Sequence, residues 1–363
     1  MKMTLSLPAG GSRLSELIIG PGTLDELPRE ILPRLGRRKA FWVWDANVRE
    51  LWGERLPGLH PGGGEHSEPI LFAASETNKR LSSVEELARR LVEAGADRNS
   101  VLVAVGGGVT GDVVGFLASV YMRGIPCHQV PTTLLAQVDS SVGGKTGVDL
   151  PEGKNLLGSF HQPEAVWMDP RFLETLPAVE LRQGMAEVVK TAMIGDARLW
   201  DYLEGHHEAI RRRDPEAVSR IVTACCTFKA SVVEADEKEG GYRRILNFGH
   251  TIGHALERLS GYRVRHGDAV AVGMAVSAEL SRRLGRLPAE AAARLIKLCE
   301  AWELPTRVPS GYDPGTIVAA LRSDKKRMGD VLHFILPVRI GEAIDYEDLD
   351  ETLLRRTLTD LSA

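Results

Sequence analysis

The stretch VLVAVGGGVTGDVVGFLASV, from Val101 to Val120, constrains the fold more than any other part of the chain. A continuous apolar run rich in valine reads as a strand buried on both faces. The glycines after it permit a tight turn, and the residues that follow return to helical spacing. Similar short runs occur at KAFWVWD, PILFAA and CHQVP, with amphipathic helical patterns such as Ser83 to Ala94 between them. That alternation predicts a parallel sheet covered by helices.

After RFLETLP the texture changes. From about Ala178 onward, Leu, Ala and Val recur at three-to-four spacing between charged faces, which predicts a largely helical region. The expected organisation is an α/β domain with a Rossmann-like parallel sheet over 1–177, followed by an all-α domain over 178–363. Within the latter, VLHFILPVRIG is strand-like and suits a hairpin or an edge. The glycine-rich HPGGGEH around Gly62 to Gly64 reads as a surface loop.

A chain of 363 residues that is 43% hydrophobic suits about two globular domains. Its formal charge of -4 gives no reason to expect nucleic acid or an anionic membrane as partner, so a basic site must be a local cluster. The four cysteines, Cys127, Cys225, Cys226 and Cys299, show no C-x-x-C spacing and suit reduced thiols in a cytoplasmic protein. MKMTLSLPAGG carries no sustained apolar segment, and runs such as Ala269 to Val276 fall well short of the ~18 residues a membrane span needs.

Gly106, Gly108 and Gly111 fit G-x-G-x-x-G, in which missing side chains let backbone N–H groups and a helix N-terminus approach a pyrophosphate. A Rossmann site also expects an acid about 20 residues later, at the end of the next strand. That strand, CHQVPTT, offers Thr132 and Thr133 instead, while the acid appears earlier as Asp45, followed by Asn47. A dinucleotide site therefore implies a strand order different from the standard one. A tight turn with no ligand is the alternative.

GMAEVVK sets Glu187 and Lys190 three residues apart in an apolar frame, either as an exposed ion pair or as an inward-facing pair that something polar requires. NFGHTIGHALE places His250 and His254 at i and i+4 on one helix face, without the glutamate of H-E-x-x-H. His266 opens HGDAVAVGMAV at a helix start. Two histidines with Glu187 would form a three-ligand metal site with open positions, although helix-face histidines also serve packing. Arg123, Lys145, Lys154, Lys229, Arg243, Lys325 and Lys326 lie in or near these stretches, with Asn155, Asn247 and Asp139. In an acidic chain they point to a small polyanionic ligand.

These motifs resemble the 3-dehydroquinate synthases along nearly the whole chain. The resemblance rests on GGGVTGDVVGFLASVYMRGIP, PTTLLAQVDSSVGGKTGVDLPEGKNLLGSFHQP, GMAEVVKTAMI, VVEADEKEGGYRRILNFGHTIGHALE and HGDAVAVGM. It departs in HGD, where the family usually has HGE, and at Tyr242, which replaces a usual aliphatic residue.

The resemblance implies an NAD-binding α/β domain, a helical metal domain and an active site between them. Glu187, His250 and His266 would hold Zn2+ or Co2+. NAD would contact Asp45, Asn47, Glu76, Thr77, Asn78, Lys79, Gly107, Gly108, Val109, Thr110, Gly111, Asp112, Thr132, Thr133, Asp139, Lys145, Lys154, Phe172, Leu173, Glu174 and Thr175. The substrate, a sugar phosphate bearing a carboxylate, would meet Arg123, Asp139, Lys145, Lys154, Asn155, Lys190, Lys229, Arg243, Asn247, His254 and one of Lys325 and Lys326. A homodimer, with Arg123 reaching across it, is implied as well. The implied lyase reaction turns 3-deoxy-D-arabino-heptulosonate 7-phosphate into 3-dehydroquinate through transient oxidation, β-elimination, reduction and aldol closure. His254 would transfer a proton. Sister cyclases that make 2-deoxy-scyllo-inosose or a valiolone, and metal-dependent polyol dehydrogenases, are the alternatives.

Overall fold

The computed structural model describes residues 3–9, 13–36, 38–56, 68–328 and 332–363. The HPGGGEH loop lies outside them. The chain divides into two compact units, 1–177 with 212–234, and 178–211 with 235–363.

The first unit is built on a seven-stranded sheet and a hairpin. Its strands are β1 (Met3–Ala9), β2 (Arg13–Ile19), β3 (Lys39–Asp45), β4 (Ile70–Phe72), β5 (Ser100–Gly106), β6 (Cys127–Pro131), β7 (Lys145–Leu150), β8 (Gly153–Phe160) and β9 (Ala165–Met168). The sheet order is β1-β2-β9-β6-β5-β3-β4, parallel throughout except for the antiparallel edge pair β1-β2. β3, β4, β5, β6 and β9 thus run in the flavodoxin-like order rather than the standard Rossmann one, as the misplaced acid had implied.

Strand alternation sends side chains to two cores. Phe41, Val43, Leu102 and Ala104 pack on one face with Leu87 and Leu117, while Trp42, Trp44, Val101, Val103 and Val105 pack on the other with Leu27 and Trp167. Every residue of β5 is buried, as a strand covered on both sides must be.

Two expectations need correction. The helix Pro215–Ala235, assigned from sequence to the second domain, packs with the first unit: Cys226 Sγ donates to Gln137 O at 3.2 Å and Lys229 Nζ to Asp139 O at 2.6 Å. Its apolar stripe is equally suited to either core, so periodicity alone cannot assign it. The second unit is also not wholly helical. VLHFILPVRIG leads into an antiparallel hairpin, β10 (Phe334–Arg339) and β11 (Glu342–Tyr346).

The rest of the second unit is helical, including Ala178–Gly195, His250–Leu259, His266–Arg283, Pro314–Met328 and Glu351–Asp360. The helices bearing His250 and His266 approach closely: a Cβ on Gly273 would fall 1.9 Å from Gly249 O, so only glycine permits that crossing. Ile252, Leu256, Val272 and Val276 fill the contact with Phe334 and Leu336. Among the described residues no helix is long and apolar enough to cross a membrane.

Candidate functional site

In the first unit, β3 and β5 are parallel neighbours with Trp44 opposite Val105, which sets Asp45 and Gly106 side by side at their carboxyl ends. Connections leave this point in opposite directions, β4 lying beyond β3 and β6 beyond β5. This is the switch point where open α/β sheets bind ligands. Asp45 caps the next helix by accepting from Asn47 N at 2.9 Å.

Gly107 caps the helix Gly108–Val120 without a side-chain cap bond, leaving the first-turn N–H groups for a ligand. A Cβ would meet Thr110 Oγ1 at 2.5 Å from Gly106, Thr133 Cγ2 at 3.1 Å from Gly107, and Ser140 Oγ at 3.0 Å from Gly108. Among the described residues, the buried hydroxyls of Thr110 and Thr132 have no hydrogen-bond partner. A glycine cradle with unpartnered buried donors fits a pyrophosphate.

Around this cradle lies a polar cluster. Lys79 is buried and donates to Asp112 Oδ2 at 2.6 Å and to Asn155 Oδ1 at 2.5 Å. Asn155 adopts a left-handed φ of 54°, and its N–H donates to Asp149 Oδ1. Lys154 pairs with exposed Glu76 at 2.5 Å. Glu76, Thr77 and Asn78 form one short helical turn, and Val109 and Gly111 lie in the first turns of Gly108–Val120.

Asp139 accepts from Lys229 Nζ at 2.5 Å. Lys145 is exposed at the start of β7. Arg123 is exposed, with φ of 71°. The segment 172–175 differs in kind: Phe172 and Leu173 bury their side chains, Thr175 Oγ1 accepts from Trp52 Nε1 at 2.7 Å, and Glu174 is exposed. Phe172 and Leu173 can offer a ligand only their backbone.

In the second unit, Glu187 and Lys190 face inward, 1% and 2% exposed, and their side chains form an ion pair. Glu187 Oε1 stands 3.3 Å from His266 Nε2 and 3.7 Å from His250 Nε2. One ligand atom from each of these three residues falls within 4.8 Å of the others.

The other ring nitrogens are engaged. His250 Nδ1 lies 3.1 Å from Phe248 O, and His266 Nδ1 lies 3.4 Å from Glu257 Oε2. Both Nε2 atoms lie against the Glu187 carboxylate, and with Nε2 of His266 deprotonated this donor set fits zinc or cobalt. Burial and the nearby Lys190 charge push His250 down to about 3, keeping it neutral. Burial acts in the same sense on His266, but Glu187 and Glu257 outweigh it and hold this ring up at about 10. Glu187 itself stays well below the usual carboxylate range, because Lys190 and the two imidazoles overcome its burial.

His254 is exposed on the same helix, its ring centroid 5.2 Å from that of His250. Arg243 is buried with Nη1 donating to Glu237 O, and Asn247 Nδ2 donates to Glu239 Oε1 at 3.0 Å. Lys325 and Lys326 lie on the helix Pro314–Met328, but their side chains fall outside the described residues.

Residues 69–183 match the model of the 3-dehydroquinate synthase N-terminal region and residues 184–327 that of its C-terminal region. A 3-dehydroquinate synthase of Symbiobacterium thermophilum is 45% identical over 95% of this chain and 97% of its own length. The chain belongs to the 3-dehydroquinate synthase family. Among solved structures, it is similar to a 2-epi-5-epi-valiolone synthase of Streptomyces hygroscopicus subsp. jinggangensis with NAD+ and Zn2+ bound. The TM-score is 0.88 with 31% identity, and 98% of each chain is covered. A 2-deoxy-scyllo-inosose synthase complexed with carbaglucose-6-phosphate, NAD+ and Co2+ gives the same TM-score at 28% identity, over 99% of this chain and 100% of its own.

Two residues beside the Glu187, His250 and His266 cluster escaped the sequence reading. Gln183 Oε1 accepts from Gly267 N at 2.7 Å, and its Nε2 donates to Asp268 Oδ1, fixing the helix start that carries His266. Glu257 was the second. It lies seven residues after His250, hence on the same helix face, but spacing does not show what that face meets.

Proposed function

We propose that the chain converts 3-deoxy-D-arabino-heptulosonate 7-phosphate into 3-dehydroquinate and phosphate, a lyase reaction dependent on NAD and a divalent metal. The observation that carries it is the arrangement of Glu187, His250 and His266 around one point, in a chain 45% identical to a 3-dehydroquinate synthase over nearly its full length.

When bound at these sites, NAD supplies reversible hydride transfer and zinc or cobalt supplies Lewis acidity toward the alcohol being oxidised. Glu187, His250 and His266 hold the cation. Asp45 would hold ribose hydroxyls, and Gly107 and Gly108 would receive the pyrophosphate on their N–H groups, with Thr110, Thr132 and Thr133 alongside. Lys145, Lys154, Asn155, Lys229, Arg243 and Asn247 bind the anionic substrate through charge-assisted and amide hydrogen bonds. Asp139 keeps Lys229 in place. Lys190, buried against Glu187, would stabilise negative charge on the substrate, and exposed His254 would move the proton.

The same reading includes a homodimer to which Arg123 contributes. It is supported by exposed Val120, Met122 and Phe160, on elements tied by the Ser159–Ser119 hydrogen bond of 2.7 Å. A reducing, cytoplasmic location is supported by four buried free thiols.

The test is phosphate release from that substrate with catalytic NAD+ and zinc. Dehydroquinate should form in step with phosphate, without net NADH absorbance. An inert substrate with metal- and NAD-loaded protein would overturn the assignment, and turnover of sedoheptulose 7-phosphate or glucose 6-phosphate would then identify a sister cyclase.

A further inference from the structure

We propose that Glu257 is a positioning residue for metal binding: its buried carboxylate accepts Nδ1–H of His266 and thereby holds Nε2 of that ring on the point it shares with Glu187 and His250. This rests on the metal-binding role given above to those three residues.

Glu257 is 3% exposed, on the helix His250–Leu259, where an acid seven residues from His250 faces the next helix. Its Oε2 lies 3.4 Å from Nδ1 of His266, the residue that opens that helix. The Glu257 main chain has a separate duty: its carbonyl accepts from Ser260 Oγ at 2.7 Å and from Tyr262 N at 2.7 Å, closing the turn between the two helices. That duty is independent of side-chain identity. Burying a carboxylate is costly unless a cationic or donor group compensates it, so the turn does not explain an acid here.

The two imidazoles also differ. His250 rests its Nδ1 on the neutral carbonyl of Phe248, which a helix start supplies in any sequence. His266 rests on a charged group, which orients the ring and raises the basicity of Nε2. His266 is the more exposed ligand, 29% against 11% for His250, and so has more rotamers to lose. The stronger support is on the ring that packing constrains less.

Metal-free protein is titrated with Co2+ and read by visible d–d absorption, with affinity set by competition against a chromophoric chelator. Glu257→Gln keeps shape and an acceptor oxygen but removes the charge. It should raise the cobalt dissociation constant about 10- to 100-fold and shift the d–d bands. A purely structural Glu257 would change only the thermal stability of the metal-free protein. A change smaller than about three-fold with unaltered bands overturns the proposal.

The underlying metal assignment fails separately, if the unsubstituted protein takes up no stoichiometric cobalt or if Glu187→Gln binds it equally well. Should Glu257→Gln not fold, Glu257→Asp carries the test. It keeps the charge but withdraws the carboxylate by one methylene, and the dissociation constant should rise in the same direction.

Discussion

Lys190 sets its ammonium against Oε2 of Glu187, one turn back on the same helix, and neither side chain keeps more than 3% of its surface in water. An exposed pair at this spacing would contribute only ~0.2–0.5 kcal/mol. A buried one must offset the desolvation of both charges, and here His250 and His266 add their ring nitrogens to the same carboxylate. Without a divalent cation, Lys190 and the protonated His266 ring supply the positive charge beside Glu187.

The two partners therefore separate on mutation. Glu187→Gln should abolish metal uptake and lower the stability of the metal-free protein by about 3 kcal/mol, because it removes the charge that pairs with buried Lys190. Lys190→Met removes a competing cation and should leave zinc affinity unchanged or tighter, while turnover falls about 10²- to 10³-fold. Calorimetric zinc titration beside steady-state phosphate release reads both. Loss of zinc binding in Lys190→Met would contradict this account.

Thr110 and Thr132 bury hydroxyls that no group among the described residues satisfies. If nothing bound there, replacing each with valine would remove a desolvated polar atom and leave stability equal or higher. Thr110→Val and Thr132→Val should instead weaken NAD+ binding, each by about 2- to 10-fold, with stability equal or higher. Fluorescence titration of NAD+ alongside urea unfolding distinguishes this from a structural role, which would lower stability and spare affinity.

What the sequence made legible is what local period and residue type encode. β5 with its glycine turn, the i,i+4 histidines and the helix opening at His266 all follow from spacing within about 20 residues. The hairpin β7–β8 was not legible: KTGVDLPEGKN is short and polar and reads as a loop until Lys145 pairs with Phe160 across it. The N-terminal pair β1–β2 was missed although MTLSL alternates apolar and polar residues and a Gly-Gly stands before RLSELII, a hairpin signal. Glu257 was hidden for a different reason. An acid inside HALERL looks like a solvated helix face, and only the return of the chain at His266 makes it a buried partner.

Part of the acid sensitivity of the fold should lie at Glu164. Burial opposes its ionisation, but His128 at 3.5 Å and the two-pronged contact with Arg38 at 2.8 Å prevail and hold it at about 2, against an ordinary 4.5. A depressed carboxylate stabilises the fold fully above its unfolded value, and that contribution fades as pH falls from about 4.5 toward 2. The stability difference between the native chain and Glu164→Gln should thus be about 2 kcal/mol larger near pH 6 than near pH 3. Urea midpoints at the two values decide it, and an equal difference at both would mean that Glu164 gains nothing from its charge.

Met122 and Arg123 are consecutive non-glycine residues with left-handed φ, 49° and 71°, and both are exposed. Such a conformation costs roughly 1–2 kcal/mol per residue, and no burial of these side chains offsets it within the chain. Strain that the fold does not need is a mark of function, and the proposed role of Arg123 at a shared site supplies one. Arg123→Gly relieves the strain but adds backbone entropy of roughly 0.5–1 kcal/mol to the unfolded state, so stability should remain within about 1 kcal/mol of the native chain. Turnover should nevertheless drop by at least about 10²-fold, the loss expected for one removed charge-stabilising donor. Arg123→Lys should recover only part of it, since an ammonium cannot reproduce a forked guanidinium contact with phosphate. If Arg123→Gly is as active as the native chain, the strained turn serves something other than the substrate.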